Sequence, residues 1–285
     1  MKFIIGIDTR YRSRGAITLA MWLRGNMDTE LRMHGVHVVE DGEPNILARD
    51  RTEKAVREEI EALVWSALES SGAAEFVTSE VVQAPAAEQY LVEVADREEA
   101  DGIIIGRAAH RDSRSLVRLG RVARRLSRTL PTLVIVVPPD LEMHQLGDGP
   151  IVCAVERTAE SLVAAQAAQR FATRTGRGVL LIHALQLPLD AMYGELNRAQ
   201  RQNAELRLAT FCKDNGLVEG VEHEIEVGTP EEVIPRRCEQ LRAPLLFCGS
   251  RRLSLAQRLF NSSLATALAR QSRVPVAIAP PPASS

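Results

Sequence analysis

The chain has 285 residues, 45% of them hydrophobic, which is enough for one large core or two ordinary ones. Lys plus Arg number 35 against 37 for Asp plus Glu, a formal charge of -2, so no overall field draws the chain to nucleic acid or an anionic membrane, and any basic site must be local. No apolar run approaches the ~20 residues that span a bilayer, and Cys153, Cys212, Cys238 and Cys248 form no CxxC pair and no zinc-finger spacing with a histidine.

The first run, "KFIIGID" at 2 to 8, meets Asp8 and Arg10 too soon for a signal sequence, which points to a reduced cytoplasm. It reads as a strand, as do "HGVHVVE" at 34 to 40, "FVTSEVV" at 76 to 82, "GIIIG" at 102 to 106 and "TLVIVV" at 132 to 137. Helical patterns lie between them. In 52 to 70, Val56, Ile60, Leu63, Val64, Ala67 and Leu68 recur at spacings of three and four and make one apolar stripe.

The second half repeats this order with "IVCAVE" at 151 to 156, "GVLLIHAL" at 178 to 185, "VEHEIEV" at 221 to 227, "PLLFCG" at 244 to 249 and "VPVAIA" at 274 to 279. The landmark pairs Asp8 and Glu156, Pro85 and Pro230, Gly106 and Gly249, and Pro131 and Pro275 keep a nearly constant offset, the mark of a duplication. Alternation of apolar strands with helices predicts an α/β fold: two similar flavodoxin-like, Rossmann-like domains, each a five-stranded, doubly wound parallel sheet with helices on both faces. The expected bounds are 1–140 and 150–280, with a Pro- and Gly-rich linker at 141–149 and a loose tail at 281–285.

In such sheets ligands bind beyond the carboxyl ends of the strands, where the strand order switches. The first strands end there at Asp8 and Glu156, and the fourth at Gly106 and Gly249. With an Asp closing strand one, a "GTP" turn at Gly228 to Pro230 and long loops opening at Gly106 and Gly249, nearly the whole chain resembles the universal stress protein family. That resemblance implies a G-x2-G-x9-G-[ST] loop after strand four that holds nucleotide phosphates, with adenine and ribose near the strand-one Asp.

Both loops depart from that pattern. In the first, Gly106 is kept, Ala109 replaces the second glycine, His110 follows it, Gly120 falls one residue late, and Arg121 replaces the hydroxyl residue. In the second, Gly249 is kept, Arg252 replaces the second glycine, and Ser262 and Ser263 form the final pair. Side chains at Ala109 and Arg252 crowd a backbone that would wrap a phosphate chain. Two readings of these residues stand side by side: a pocket for ATP, ADP, AMP or another small anion in at least one half, or glycines that only turn the chain and serines that only cap a helix. Asp8 divides in the same way between ribose recognition and a capped turn, and Glu156 is longer by one methylene.

Arg107, Arg111, Arg114, Arg118, Arg121, Arg125 and Arg128 recur at spacings of three and four, and from Leu116 an apolar stripe of Leu119, Val122, Ala123, Leu126 and Leu130 runs beside them. Such a helix face, Arg114, Arg118, Arg125 and Arg128 above all, either contacts an anion or acidic partner or is solvated and balanced by Glu93, Glu98 and Glu99. The absence of aromatic residues within it argues against single-stranded nucleic acid.

The six histidines show no metal-ligand or nucleophile–base spacing, and GxxxxGK[ST], GxGxxG and GxSxG do not occur. "DTRYRSRG" and "ERTAESL" after the first strands do not supply the phosphate loop of related adenine-nucleotide hydrolases. The expectation is a stress-response binding protein that needs no cofactor, no metal and no catalytic residue, the alternative being a nucleotide-free scaffold. The apolar final strands, hazardous as free edges, predict self-association through them, as an internal pseudo-dimer or between chains.

Overall fold

A computed structural model describes residues 1–9, 13–27, 30–40, 52–107, 119–187, 195–217, 219–250 and 264–282. The chain divides into two compact units, Met1–Met143 and His144–Ser285.

The first unit runs β1 (Lys2–Gly6), α1 (Arg14–Asn26), β2 (Arg32–Glu40), α2 (Glu53–Ser70), β3 (Val77–Ala84), α3 (Ala87–Arg97), β4 (Gly102–Gly106), α4 (Arg121–Thr129) and β5 (Leu133–Val137). Its strands are parallel in the order β3-β2-β1-β4-β5. The second unit runs β6 (Ile151–Ala154), α5 (Ala159–Thr175), β7 (Val179–Leu185), α6 (Glu195–Asp214), β8 (Val221–Val227), α7 (Pro230–Gln240), β9 (Leu246–Gly249), α8 (Leu264–Gln271) and β10 (Val276–Ala279). Its order, β8-β7-β6-β9-β10, repeats the first.

The inner strands carry Ile, Val, Leu and Phe that are wholly buried, such as Phe3, Ile4, Ile5, Ile103 and Ile104 in the first unit and Leu246 and Phe247 in the second. Packing on both faces requires this. β3 and β8 differ: their exposed positions hold Thr78, Ser79, Glu222 and His223, consecutive residues on opposite faces, because an outer strand is incompletely covered on both. In both units an arginine from the preceding helix closes one carbonyl of that strand: Arg57 donates to Val81 at 2.9 Å and Arg201 to Ile225 at 3.1 Å.

Helix ends follow local chemistry. Thr158 and Ser161 form a reciprocal capping box that opens α5, and Gly176 closes it at φ 64°. Thr229 and Pro230 open α7 with proline in the first turn, where its missing N–H is harmless. The pairing of Pro85 with Pro230 is off by two residues, since α7 starts on its proline while α3 starts two residues after Pro85.

The segment after β5 is not a free tether. Leu141 and Leu146 are buried, and Gly149 passes so close to the Leu241 carbonyl that a Cβ would stand 2.0 Å from its oxygen. All four cysteines are free and buried. Burial pushes the Cys153 thiol well above its ordinary range and that of Cys248 up to about 12, so these behave as small core hydrophobes.

Candidate functional site

The strand order of each unit reverses direction at its first strand, which lies between the second and fourth. Beyond the carboxyl ends of β1 and β4, and of β6 and β9, the connections leave in opposite directions and open a crevice. Asp8 and Glu156 follow β1 and β6 directly, and Gly106 and Gly249 end β4 and β9. Counting on from the pairs Gly6↔Ile105 and Ala154↔Cys248 puts Asp8 level with Arg107 and Glu156 level with Ser250.

Asp8 is fixed through its backbone. The Ser13 hydroxyl accepts from its N–H at 3.1 Å and donates to its carbonyl at 2.8 Å, which closes the turn into α1. Glu156 stands on a shorter connection. Arg157, between it and the cap Thr158, takes φ 60°, a left-handed conformation strained for a side chain with a Cβ.

Two histidines support these strand ends identically. His37 on β2 donates from Nδ1 to the Ile7 carbonyl at 2.8 Å, and His183 on β7 donates to the Val155 carbonyl at 2.8 Å. A carbonyl only accepts, so Nδ1 carries the proton in both rings. The residue held is in each unit the one before the strand-one acid. Metal and nucleophile spacings do not reveal this pair; their shared place in the duplication, three and two residues before the ends of β2 and β7, does.

Gly249 is confined by packing, since a Cβ there would lie 2.4 Å from the Glu160 carbonyl oxygen in the first turn of α5. Gly120 precedes α4 with ψ 164°, which stops the helix from starting earlier. Arg121 is therefore its first residue.

The arginine stripe does not form one helix face. Arg107 lies at the end of β4, 8% exposed, its N–H donating to the Val137 carbonyl at 2.6 Å. Burial lowers the affinity of its guanidinium for its proton, and Asp140 opposes that loss. Of the α4 arginines, Arg121 pairs with Glu40 and Arg125 with Glu88, while Arg124 and Arg128 are exposed. Among the described residues the acids that pair with α4 are thus Glu40 and Glu88 rather than Glu93, Glu98 and Glu99. Glu98 caps the carboxyl end of α3, away from Glu88 in its first turn, and faces Lys2, His34 and Arg97. Ala109, His110, Arg111, Arg114, Arg118, Arg252, Ser262 and Ser263 lie outside the described residues.

A concavity of about 430 Å³ lies at the amino ends of β1 to β3, away from the crevice. Lys2 pairs there with Glu98 at 3.8 Å and Arg32 with Glu30 at 2.8 Å, and Arg24 also lines it. Among the described residues no three His, Cys, Asp or Glu side chains are placed to hold a metal, and no helix is long and apolar enough to cross a membrane.

These features define a tandem of two Rossmann-like α/β domains with a crevice at each switch point. The profile of the Universal stress protein family matches residues 1–138 and again 149–280, and the chain belongs to that family. A universal stress protein from Archaeoglobus fulgidus is similar in fold at 17% identity, with 99% of this chain and 98% of that one covered and a TM-score of 0.68. A protein of unknown function from Pseudomonas aeruginosa PAO1 is similar at 17% identity over 98% of this chain and 92% of its own, TM-score 0.65. No curated protein sequence matches.

Proposed function

We propose that the chain is a stress-response binding protein that takes an adenine nucleotide or another small anion in at least one half and does not turn it over. The observation that carries this reading is the twofold repetition of one arrangement: a strand-one acid, Asp8 or Glu156, beside the end of strand four, its strand held by a histidine at 2.8 Å. A crevice rigidly built in both halves suits recognition. Mass spectrometry of gently purified, then denatured protein, followed by calorimetric titration with ATP, ADP and AMP, tests it. A co-purifying nucleotide whose affinity is lost in Asp8→Ala, or in Ser262→Ala with Ser263→Ala, supports the reading and names the half. No ligand and no heat up to millimolar nucleotide refutes it.

The same reading places the protein in the cytoplasm, with self-association through the apolar final strands; native mass spectrometry across a dilution series tests assembly between chains. The scaffold reading has its own support in the exposed Arg124 and Arg128 on α4 and in Trp65, 51% exposed on α2. It predicts a protein partner lost on Arg124→Glu with Arg128→Glu.

A further inference from the structure

Among the described residues, four of the five large apolar side chains left exposed lie on two equivalent helices, Leu63 and Trp65 on α2 and Leu196 and Leu206 on α6. Each helix follows the second strand of its unit and packs on the outer strand, β3 or β8. Its inner face is occupied by that packing: Val56, Ile60, Val64 and Leu68 are buried on α2, and Ala204, Leu208 and Cys212 on α6. The exposed residues turn outward from it.

A single exposed leucine or tryptophan is ordinary. What sets these apart is how the two outer faces differ. Arg57 and Arg201 close the carbonyls of Val81 and Ile225, and both pairs stand 144 residues apart, 57 to 201 and 81 to 225, which aligns the helices residue for residue. On that alignment Leu206, 70% exposed, stands where α2 has Ala62, and Lys213 where it has Glu69. A knob on one helix thus answers a hollow on the other: Ala62 and Ser66, one turn apart and both exposed, leave a shallow saddle with Trp65 on one side and Leu63 on the other.

The charges diverge in the same way. α2 carries five acids against two bases, and α6 three acids against four bases. Lys54 and Arg57 are already held by Glu58 and Glu61 one turn on, at 3.8 and 2.9 Å, whereas Glu69 on α2 and Arg207 and Lys213 on α6 have no ion pair among the described residues. Two copies of one surface that part in opposite directions, in size and in sign, become complements of each other.

We propose that these faces bind each other between chains: α6 of one copy lies on α2 of another, with Leu206 seated on Ala62 and Ser66 beside Trp65 and the cations of α6 against the acids of α2. Each contact leaves one face of each kind free, so association continues from chain to chain until it closes on itself. A pair of helices buries less than the about 800 Å² per partner of a stable complex, so the contact is weak and forms at high concentration. It does not depend on the nucleotide reading and uses no part of the final strands.

The test is sedimentation equilibrium of the full chain from about 1 μM to about 300 μM, with front-face tryptophan emission read on the same samples. Trp22 is 4% exposed, so a concentration-dependent shift of emission to shorter wavelength reports Trp65. Wild type gains mass with concentration and shows that shift. Leu206→Glu, and separately Arg207→Glu with Lys213→Glu, weaken association about tenfold or more while far-UV circular dichroism and the urea midpoint stay unchanged. Glu58→Lys with Glu69→Lys does the same, and an equimolar mixture of the two charge-reversed chains regains association. A mass independent of concentration overturns the proposal. So does association unchanged by the α6 substitutions, the result expected of two α2 faces meeting each other or of pairing through the final strands.

Discussion

Replacing Gly249 by alanine separates the two roles a glycine can have at the end of the fourth strand. The added Cβ would stand 2.4 Å from the Glu160 carbonyl oxygen, 2.6 Å from its carbon and 3.1 Å from the Ser161 nitrogen, all backbone atoms. The capping box between Thr158 and Ser161 fixes this turn, so neither partner yields easily. Overpacking of this kind costs about 1–3 kcal/mol, and backbone on both sides puts it near the upper end. With a urea dependence of about 2 kcal/mol per molar, Gly249→Ala lowers the unfolding midpoint followed by far-UV circular dichroism by about 1 M or more. An unchanged midpoint refutes the packing argument. A stable variant that alone loses nucleotide binding shows instead that the glycine serves a ligand.

Both tryptophans, Trp22 and Trp65, lie in the first half, so their fluorescence reports its unfolding. In α1, Gly15→Ala sets a Cβ 1.9 Å from the Pro138 carbonyl oxygen and lowers that midpoint by about 1 M or more, whereas Gly25→Ala meets nothing within 4 Å and raises stability by about 0.5–1 kcal/mol. Glu40 has a folded-state pKa below its ordinary 4.5, so its contribution is fully present above that pH and is lost as pH falls through the lower folded value. Glu40→Gln removes this part of the acid dependence in a pH series of urea melts. Cys153, Cys238 and Cys248, their thiols pushed up by burial, react with a thiol reagent only at the rate of unfolding, and all four cysteines react at once in denaturant. Nitrogen-detected NMR finds the Nδ1–H tautomer at His37 and His183, and His37→Ala or His183→Ala costs about 1–2 kcal/mol by leaving a carbonyl unpaired; an Nε2–H tautomer contradicts the assignment.

The fold was legible because its signals are local and doubled. Runs such as "GIIIG" and "TLVIVV", short and bounded by turn residues, fit a covered parallel sheet, and their recurrence in the same order between helical patterns marks the same topology twice. Boundaries slipped where a single backbone angle decides: the apolar stripe from Leu116 suggests a longer helix, yet Gly120 at ψ 164° holds the start of α4 to Arg121. Pro85 and Pro230 matched by residue type although one precedes its helix and the other begins it.

The site was legible in position but not in pairing. That Asp8 and Gly106 in the first unit, and Glu156 and Gly249 in the second, stand at the ends of neighbouring strands follows from strand order alone. Which acid answers which arginine does not, because it depends on where the start of α3 lies against α4, and sequence distance favours the wrong partners: Glu98 is nearer than Glu40 in the chain but sits at the far end of its helix. Periodicity likewise carried Arg107 onto a helix face, though it is a buried strand-end residue level with Asp8. The two histidines illustrate what could have been seen. Taken singly, His37 and His183 match no motif, but laid over one another by the duplication they occupy one place, and a polar side chain kept in both copies at a strand end marks a shared contact before any coordinate is known.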